Sequence, residues 1–260
     1  MAIKKKQITI HKKNEMVRGS DRYSLEAKRA LNAIYWGLQK HKLFNSTYIN
    51  IKFSILRKLM NFENDNRYVE KLKNSLLELQ QPMELNNFIH PIQKTKYDWY
   101  SLSFLDEAGF KKDKETGEWV ATIKVNPIIK HLLQIEGNFT KLELLENLNK
   151  FRTKYAMKLY EYLKSFGAFK YIDLTQKHIM KLLGIDINHN TYKHYAKLKT
   201  LIERQLKDIA NKSDLKEIRL MNSKTLAKEK VFRIIINPKN KRGVDKIIAK
   251  TTLENLIKRF

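Results

Sequence analysis

The chain has 260 residues, enough for one large or two ordinary domains, and its 42% hydrophobic content can fill real cores. Lys and Arg outnumber Asp and Glu by 52 to 27, and the net charge of +25 predicts an anionic partner such as nucleic acid. The chain has no cysteine, which excludes disulfides and thiolate metal sites and is compatible with a cytoplasmic location. No run of about 18 apolar residues exists, so no membrane span is expected.

The charge is distributed unevenly. Residues 1–140 hold 24 basic and 15 acidic residues, a net of +9, and residues 141–260 hold 28 and 12, a net of +16. With only 8 glycines and 4 prolines, most of the chain should form regular structure. The C-terminal half is therefore the better candidate to carry a surface that binds a polyanion, because its net charge is higher.

The N-terminal half predicts three helices. Residues 1–22 are polar and basic and are expected to form an arm, and Ser24 is placed to cap a helix that ends near Lys40. A short strand at 48–51 precedes helices over 53–60 and 67–80. In the last helix the spacing predicts an inner face of Val69, Leu72, Leu76 and Leu79, and an outer face that includes Arg67, Lys71 and Asn74.

Three extended segments follow these helices, around residues 83–89, 99–105 and 119–125. The last two are expected to pair across a long polar loop, residues 109–118, that carries Lys111, Lys112 and Lys114. Three helices followed by a two-stranded hairpin with a basic tip is the order of a winged helix.

The same order recurs after a predicted helical connection over 127–149. The pattern predicts a helix at 154–166, a short strand at 171–174, helices at 175–183 and 192–211, strands at 216–220 and 231–236 joined by a basic loop, and a last amphipathic helix at 252–260. Shifting the first half by 123 residues places the short strand and the next helix on their counterparts, and a shift of 126 aligns the third helices.

This repetition predicts an α+β, mostly helical fold of two tandem winged-helix domains related by internal duplication. The expected boundaries are a basic arm at 1–22, an N-terminal domain at 23–135, a helical linker at 136–150 and a C-terminal domain at 151–260. Coincidence between two amphipathic helix pairs is the alternative.

The helix predicted at 192–211 has two faces. One stripe is apolar, formed by Tyr195, Leu198, Ile202, Leu206 and Ile209. A second stripe is mostly cationic, formed by Lys193, Lys197, Thr200, Arg204 and Lys207. A helix that lies in a DNA major groove needs this arrangement, although a solvated lysine-rich surface helix shares it.

Enzymatic functions find little support in the sequence. A rolling-circle nickase needs a His-X-His metal pair and a tyrosine nucleophile, but no His-X-His occurs, and His189 and His194 are five residues apart. No glycine-rich phosphate-binding loop is present, so ATP binding is not expected. His90 and His131 look isolated, and we predict no metal, no cofactor and no catalytic residue.

Several segments resemble the iteron-binding plasmid replication initiators, a family of tandem winged-helix proteins. The segment at 12–35 is similar to the opening of the family, and the segment at 151–167 to its linker-proximal helix with the core Leu159, Tyr160 and Glu161. Residues 201–214 resemble the recognition helix and its exit, and 231–236 the second wing strand. The chain departs from the family pattern at Gln205, at Asp208 and at 228–230.

The resemblance implies that the protein binds double-stranded DNA at direct repeats of a plasmid origin and promotes melting of an adjacent AT-rich segment. It also implies recruitment of the host helicase and initiator proteins, and a monomer–dimer equilibrium in which the dimer, joined through the N-terminal domain, represses its own gene. On this basis the C-terminal domain is the main DNA reader and the N-terminal domain contacts the DNA backbone.

The two recognition helices and the two wings supply the candidate DNA contacts. Linked domains can place two such helices in successive major grooves, while lysines on the wings hold phosphates. The candidates are Lys193, His194, Lys197, Lys199, Thr200, Arg204 and Lys207 in the C-terminal domain, Arg67, Lys71, Lys73 and Asn74 in the N-terminal domain, and the wing residues Lys111, Lys112, Lys114, Lys224, Lys228 and Lys230.

Two other functions stay open at this stage. A winged-helix transcriptional repressor without initiator activity would use the same fold on a palindrome in a promoter. A basic peripheral membrane protein would usually carry one long amphipathic helix, and the alternation of helices and strands argues against it.

Overall fold

The computed structural model describes residues 8–18, 22–134, 139–222, 226, 228, 230–237 and 239. The chain divides into two compact units. Of the described residues, the first unit holds 8–11 and 23–149, and the second holds 12–18, 22 and those from 150 onward. The N-terminal segment therefore contributes to both units.

The first described strand is β1 (Thr9–Lys13), which begins in the first unit and pairs with β7 (Phe139–Glu143). The order that follows is α2 (Leu25–Lys40), a 3-10 turn at Leu43–Asn45, β2 (Ile49–Lys52), α3 (Phe53–Leu59), α4 (Tyr68–Leu79), β3 (Met83–Ile89), β4 (Lys96–Leu102), β5 (Leu105–Lys112), β6 (Trp119–Val125), α5 (Pro127–Gln134), β7 (Phe139–Glu143) and a 3-10 turn at Leu148–Lys150.

The strands of the first unit form a sheet in the order β2-β6-β5 and a separate β3–β4 hairpin. The β5–β6 hairpin, here called the first wing, is antiparallel, and Lys112 lies opposite Trp119. The core lies between this sheet and the helices, where Tyr35, Leu56 and Phe104 are buried. Ser24 caps α2, because its hydroxyl accepts a hydrogen bond from the amide of Ala27 at 3.1 Å.

The second unit contains α1 (Asn14–Arg18), α6 (Lys154–Lys164), β8 (Tyr171–Thr175), α7 (Gln176–Leu182), α8 (Tyr195–Lys212), β9 (Arg219–Leu220) and β10 (Val231–Ile235). Its sheet has the order β8-β10-β9, and the β9–β10 pair is here called the second wing. In each sheet the strand before the two helices pairs with the last wing strand, which lies in the middle. The strand–helix–helix–strand–strand order predicted for each half is present in both units.

The predicted hairpin of the first unit is wrong in its pairing. Residues 96–102 pair with 83–89, and the wing partner of β6 is β5, which includes residues 109–112 of the predicted polar loop. Lys111 and Lys112 are therefore strand residues, and a turn at 113–118 carries Lys114. Strand pairing joins distant residues, so the two hairpins could not be told apart from local patterns.

Four further predictions need correction. Residues 9–18 form β1 and α1 rather than an arm, and β7 interrupts the predicted helical connection. Val69, predicted to face inward on α4, is 42% exposed. The strand expected over 216–220 contains only Arg219 and Leu220. The helix predicted at 252–260 lies outside the described residues.

Candidate nucleic-acid interface

The inner face of α8 is apolar and buried, as its sequence pattern predicts. Leu198, Ile202, Leu206 and Ile209 are each at most 2% exposed. The ring of Tyr195 stacks on Phe232 of β10 with 4.6 Å between centroids, and this burial raises the pKa of Tyr195. This packing fixes which side of the helix faces solvent.

The outer face of α8 carries the predicted cationic row. Lys197, Thr200, Arg204 and Lys207 are all exposed, and they lie at three- and four-residue steps along one side. Lys199 lies beside this row and is half-buried, with its Nζ 3.7 Å from a carboxylate oxygen of Glu203. The row therefore offers long cationic side chains and one hydroxyl to a polyanion.

The turn before α8 holds two more predicted residues. The helix begins at Tyr195 rather than Tyr192, so Lys193 lies in the turn and His194 at the N-cap position. Both are exposed. The side-chain amide of Gln176, at the start of α7, donates a hydrogen bond to the backbone oxygen of Lys193 at 2.6 Å. The preceding helix thus helps to hold this turn in place.

Side-chain hydrogen bonds that the sequence did not predict hold α8 against α6. The hydroxyl of Thr153 caps α6 and donates a hydrogen bond to Oε1 of the buried Gln205 at 2.6 Å. After the helix ends, Asp214 accepts bonds from Tyr160, at 2.9 Å, and from Lys164. These contacts restrict rotation of α8 about its axis and so set the direction of its outer row.

The corresponding face of α4 in the first unit is less cationic. Lys71 is paired with Asp65 at 2.6 Å, and this bond lowers the pKa of Asp65. Arg67, Lys73 and Asn74 are exposed as predicted, but they share the face with Leu77, which is 48% exposed. The four predicted residues therefore lie at the N-cap and along α4, with Lys71 already in an ion pair.

The first wing carries as many acidic as basic side chains near its tip. Lys111, Lys112 and Lys114 are exposed. Asp113 binds the amide and hydroxyl of Thr116, and Glu118 accepts hydrogen bonds from Ser54; these bonds lower the pKa of both carboxyl groups. With Glu115 they equal the three lysines in number, and Glu118 also lies 3.4 Å from Lys52 of the neighbouring strand β2.

The second wing has exposed lysines on the segment that leads into β10. Lys228 and Lys230 are both exposed, and Lys230 has a positive φ of 55°. Lys224 lies outside the described residues. No acidic side chain in the described part of this segment pairs with either lysine.

Neither a metal cluster nor a membrane-spanning helix is present among the described residues. They contain no group of three or more His, Cys, Asp or Glu side chains that could hold a metal ion. In that same part of the chain no helix is long and apolar enough to cross a bilayer. The ring of His189 stacks on the ring of Tyr192 with 4.8 Å between centroids, and His189 is exposed.

The arrangement of strands and helices up to the end of α6 agrees with the comparison to known families. A family model described as initiator replication protein, WH1, matches residues 9–164, which is more than half of the chain. The chain belongs to this family. The match runs from β1 to the end of α6, and the resemblance to winged-helix replication initiators that the sequence motifs indicated is thereby confirmed.

Membership of the initiator family places the chain among DNA-binding replication proteins. Among solved structures, domains 2 and 3 of RctB are similar to the initiator described here, with a TM-score of 0.49 and 11% sequence identity over 81% of each chain. No curated protein matches the chain.

Proposed function

We propose that this initiator binds double-stranded DNA sequence-specifically at direct repeats of a plasmid origin and promotes melting of the adjacent segment. The observation that carries the proposal is the exposed row of Lys197, Thr200, Arg204 and Lys207 on a helix whose other face is buried. Such a row suits the major groove, where arginine and lysine bond guanine edges and phosphates. Family membership supports the initiator role.

We further propose that the two units are winged-helix domains derived by duplication. Their sheets have the same strand order, β2-β6-β5 and β8-β10-β9. The buried positions of α4 are Leu72, Ser75, Leu76 and Leu79, and each lies 126 residues before a buried position of α8: Leu198, Leu201, Ile202 and Gln205. The sequence shift of 126 therefore also aligns the buried faces.

The same alignment supports a division of labour in which α8 reads bases. The shift of 126 also aligns the outer row of α8 with the first unit. Lys197 corresponds to Lys71, Arg204 to Glu78, and Lys207 to Gln81. Lys71 is paired with Asp65, and Glu78 accepts hydrogen bonds from the amide and hydroxyl of Ser24. The first unit accordingly contributes backbone contacts through Arg67, Lys73, Asn74 and its wing, and joins two copies in the repressing dimer.

The partners of this function follow from the family resemblance. They are duplex DNA, a second copy of the chain, and the helicase and initiator proteins of the host in its cytoplasm. A transcriptional repressor would use the same surface on a palindrome, so the arrangement of sites on DNA distinguishes the two functions.

The test is footprinting on the DNA that flanks the gene, at salt concentrations of about 50 and 200 mM. Ordered protection of direct repeats, weaker at the higher salt, is the expected result. Lys197→Ala and Arg204→Ala should each weaken protection by about 1–3 kcal/mol. Lys216→Ala removes the same charge from an exposed turn after α8 and should leave protection unchanged.

Two outcomes would contradict the proposal. A single protected palindrome over the promoter would assign the chain to the repressors. Tight low-salt binding with no discrete protected site would mean that the charge of the chain binds any polyanion.

A further inference from the structure

The outer face of the sheet in the second unit carries a cationic cleft that the DNA-binding proposal does not use. Its volume is about 420 Å³, and its lining includes Lys170, Arg219 and Arg233 as well as the apolar Met221 and Ile235. Arg219 is exposed, and Met221 is 46% exposed. Positive side chains thus surround apolar surface within one cavity.

This cleft and α8 lie on opposite faces of the sheet. Phe232 and Ile234 are buried on the inner face, where Phe232 stacks on Tyr195 of α8. Side chains alternate along a strand, so Arg233 and Ile235 point to the other face. Ile235 lies opposite Arg219 of β9 in the sheet register, which places both on that outer face. DNA held by the outer row of α8 would not cover them.

Arg233 is held rigidly at the cleft. Its Nε and one terminal nitrogen bond the two carboxylate oxygens of Asp173 at 2.7 and 2.6 Å. Its guanidinium lies over the ring of Tyr171, 4.2 Å from the centroid. Asp173 neutralises this arginine, so Lys170 and Arg219 supply the positive charge that a ligand would meet.

We propose that this cleft binds an extended acidic segment of a partner protein, in which glutamate or aspartate side chains flank an apolar one. The carboxylates would pair with Lys170 and Arg219, and the apolar side chain would cover Met221 and Ile235. Charge complementarity of this kind favours association of anionic segments. Residues 240–260 of the chain itself carry six basic and two acidic residues, so they are a poor electrostatic match.

The proposal is independent of DNA binding and is tested on the full chain with a fluorescein-labelled peptide, Glu-Leu-Glu-Leu-Glu, by fluorescence anisotropy. Arg219→Glu should weaken binding by about tenfold or more, because it replaces attraction with repulsion. Lys216→Glu makes the same change of charge on a nearby exposed turn outside the cleft and should have less than about a threefold effect. The peptides Lys-Leu-Lys-Leu-Lys and Glu-Ser-Glu-Ser-Glu should bind more weakly than the probe.

Amide chemical shifts of the wild-type protein provide a second measurement that needs no variant. On peptide addition the shifts should concentrate at residues 219–222 and 233–235. Shifts centred on α8, or equal binding by Arg219→Glu and Lys216→Glu, would overturn the proposal. So would a loss of duplex DNA affinity in Arg219→Glu as large as in Lys197→Ala, because the cleft would then belong to the DNA surface.

Discussion

At the scale of single residues, Arg204 differs from the lysines beside it. It lies on the outer row of α8, exposed, between Thr200 and Lys207. A guanidinium presents a planar fork that can bond both acceptors of a guanine edge, whereas an ammonium acts as a point charge. Arg204 is therefore the residue of the row best suited to distinguish bases.

We expect Arg204→Lys to reduce discrimination between the protected site and a site with one changed base pair by about 1–3 kcal/mol. The salt dependence of binding should stay the same, since the charge is retained. Competition binding with matched and mismatched duplexes measures both quantities. Lys207→Arg is the control, and unchanged discrimination in Arg204→Lys would mean that Arg204 holds phosphate.

A second prediction at this scale concerns a buried ion pair in the second unit. The Nζ of Lys12 lies 2.8 Å from Oε1 of Glu161, and the two side chains are 6% and 5% exposed. Glu161→Gln removes one partner of a buried ion pair, which typically costs about 3–5 kcal/mol of unfolding free energy. Urea denaturation followed by far-UV circular dichroism measures this loss.

The ion pair of the half-buried Lys199 and the exposed Glu203 provides the control for that experiment. Glu203→Gln should change the unfolding free energy by less than about 1 kcal/mol, because water already solvates both charges. The double change of Lys12→Met and Glu161→Leu should recover most of the stability. Equal effects of Glu161→Gln and Glu203→Gln would show that Lys12 reaches solvent.

At the scale of elements, the caps and contacts at helix ends connect local sequence to tertiary packing. Ser24 caps α2 and also donates its hydroxyl to Glu78 of α4. Thr153 caps α6 and bonds Gln205 of α8. In both units, the residue that caps the start of one helix also bonds a second helix, α4 or α8.

We expect Ser24→Ala to lower the stability of the first unit by about 1 kcal/mol or more, because α2 loses its cap and Glu78 loses a donor. The three tryptophans, Trp36, Trp99 and Trp119, all lie in the first unit, so their fluorescence reports its unfolding in urea. Thr175→Ala removes the cap of α7 in the second unit and is the matched control.

Thr175→Ala should leave the tryptophan transition in place while it shifts the transition seen by circular dichroism. Each unit has its own core, which is why separate responses are expected. A tryptophan transition that moves equally in both variants would show that the two units unfold together.

At the scale of the whole molecule, the charge of +25 determines how binding responds to salt. If the two units together neutralise about 8 phosphates, the logarithm of the binding constant should fall with the logarithm of salt concentration at a slope near −7. Lys207→Ala should make this slope shallower by about 0.9, since one counterion fewer is released. Fluorescence anisotropy over a salt series measures both slopes, and a slope near zero would contradict the nucleic-acid interface.

The sequence by itself determined the four longest helices of the described residues, α2, α4, α6 and α8, and the faces of α8. Helical hydrogen bonds join residues four apart, so spacing alone predicted that Leu198 and Ile202 face inward and that Lys197 and Arg204 face outward. The cap at Ser24 was predicted for the same reason, because a cap bonds an amide three residues away. Motifs in chain order also led to the initiator family.

Only the tertiary structure decided which strands pair and which charges meet a partner. The strand of 96–102 pairs with 83–89 instead of 119–125, and strand pairing depends on contacts between distant residues that local pattern does not specify. Lys71 and the lysines of the first wing were predicted as DNA contacts from their charge. Asp65 pairs with Lys71, and this is a property of folded geometry, because only the fold brings the two side chains within a few ångströms of each other.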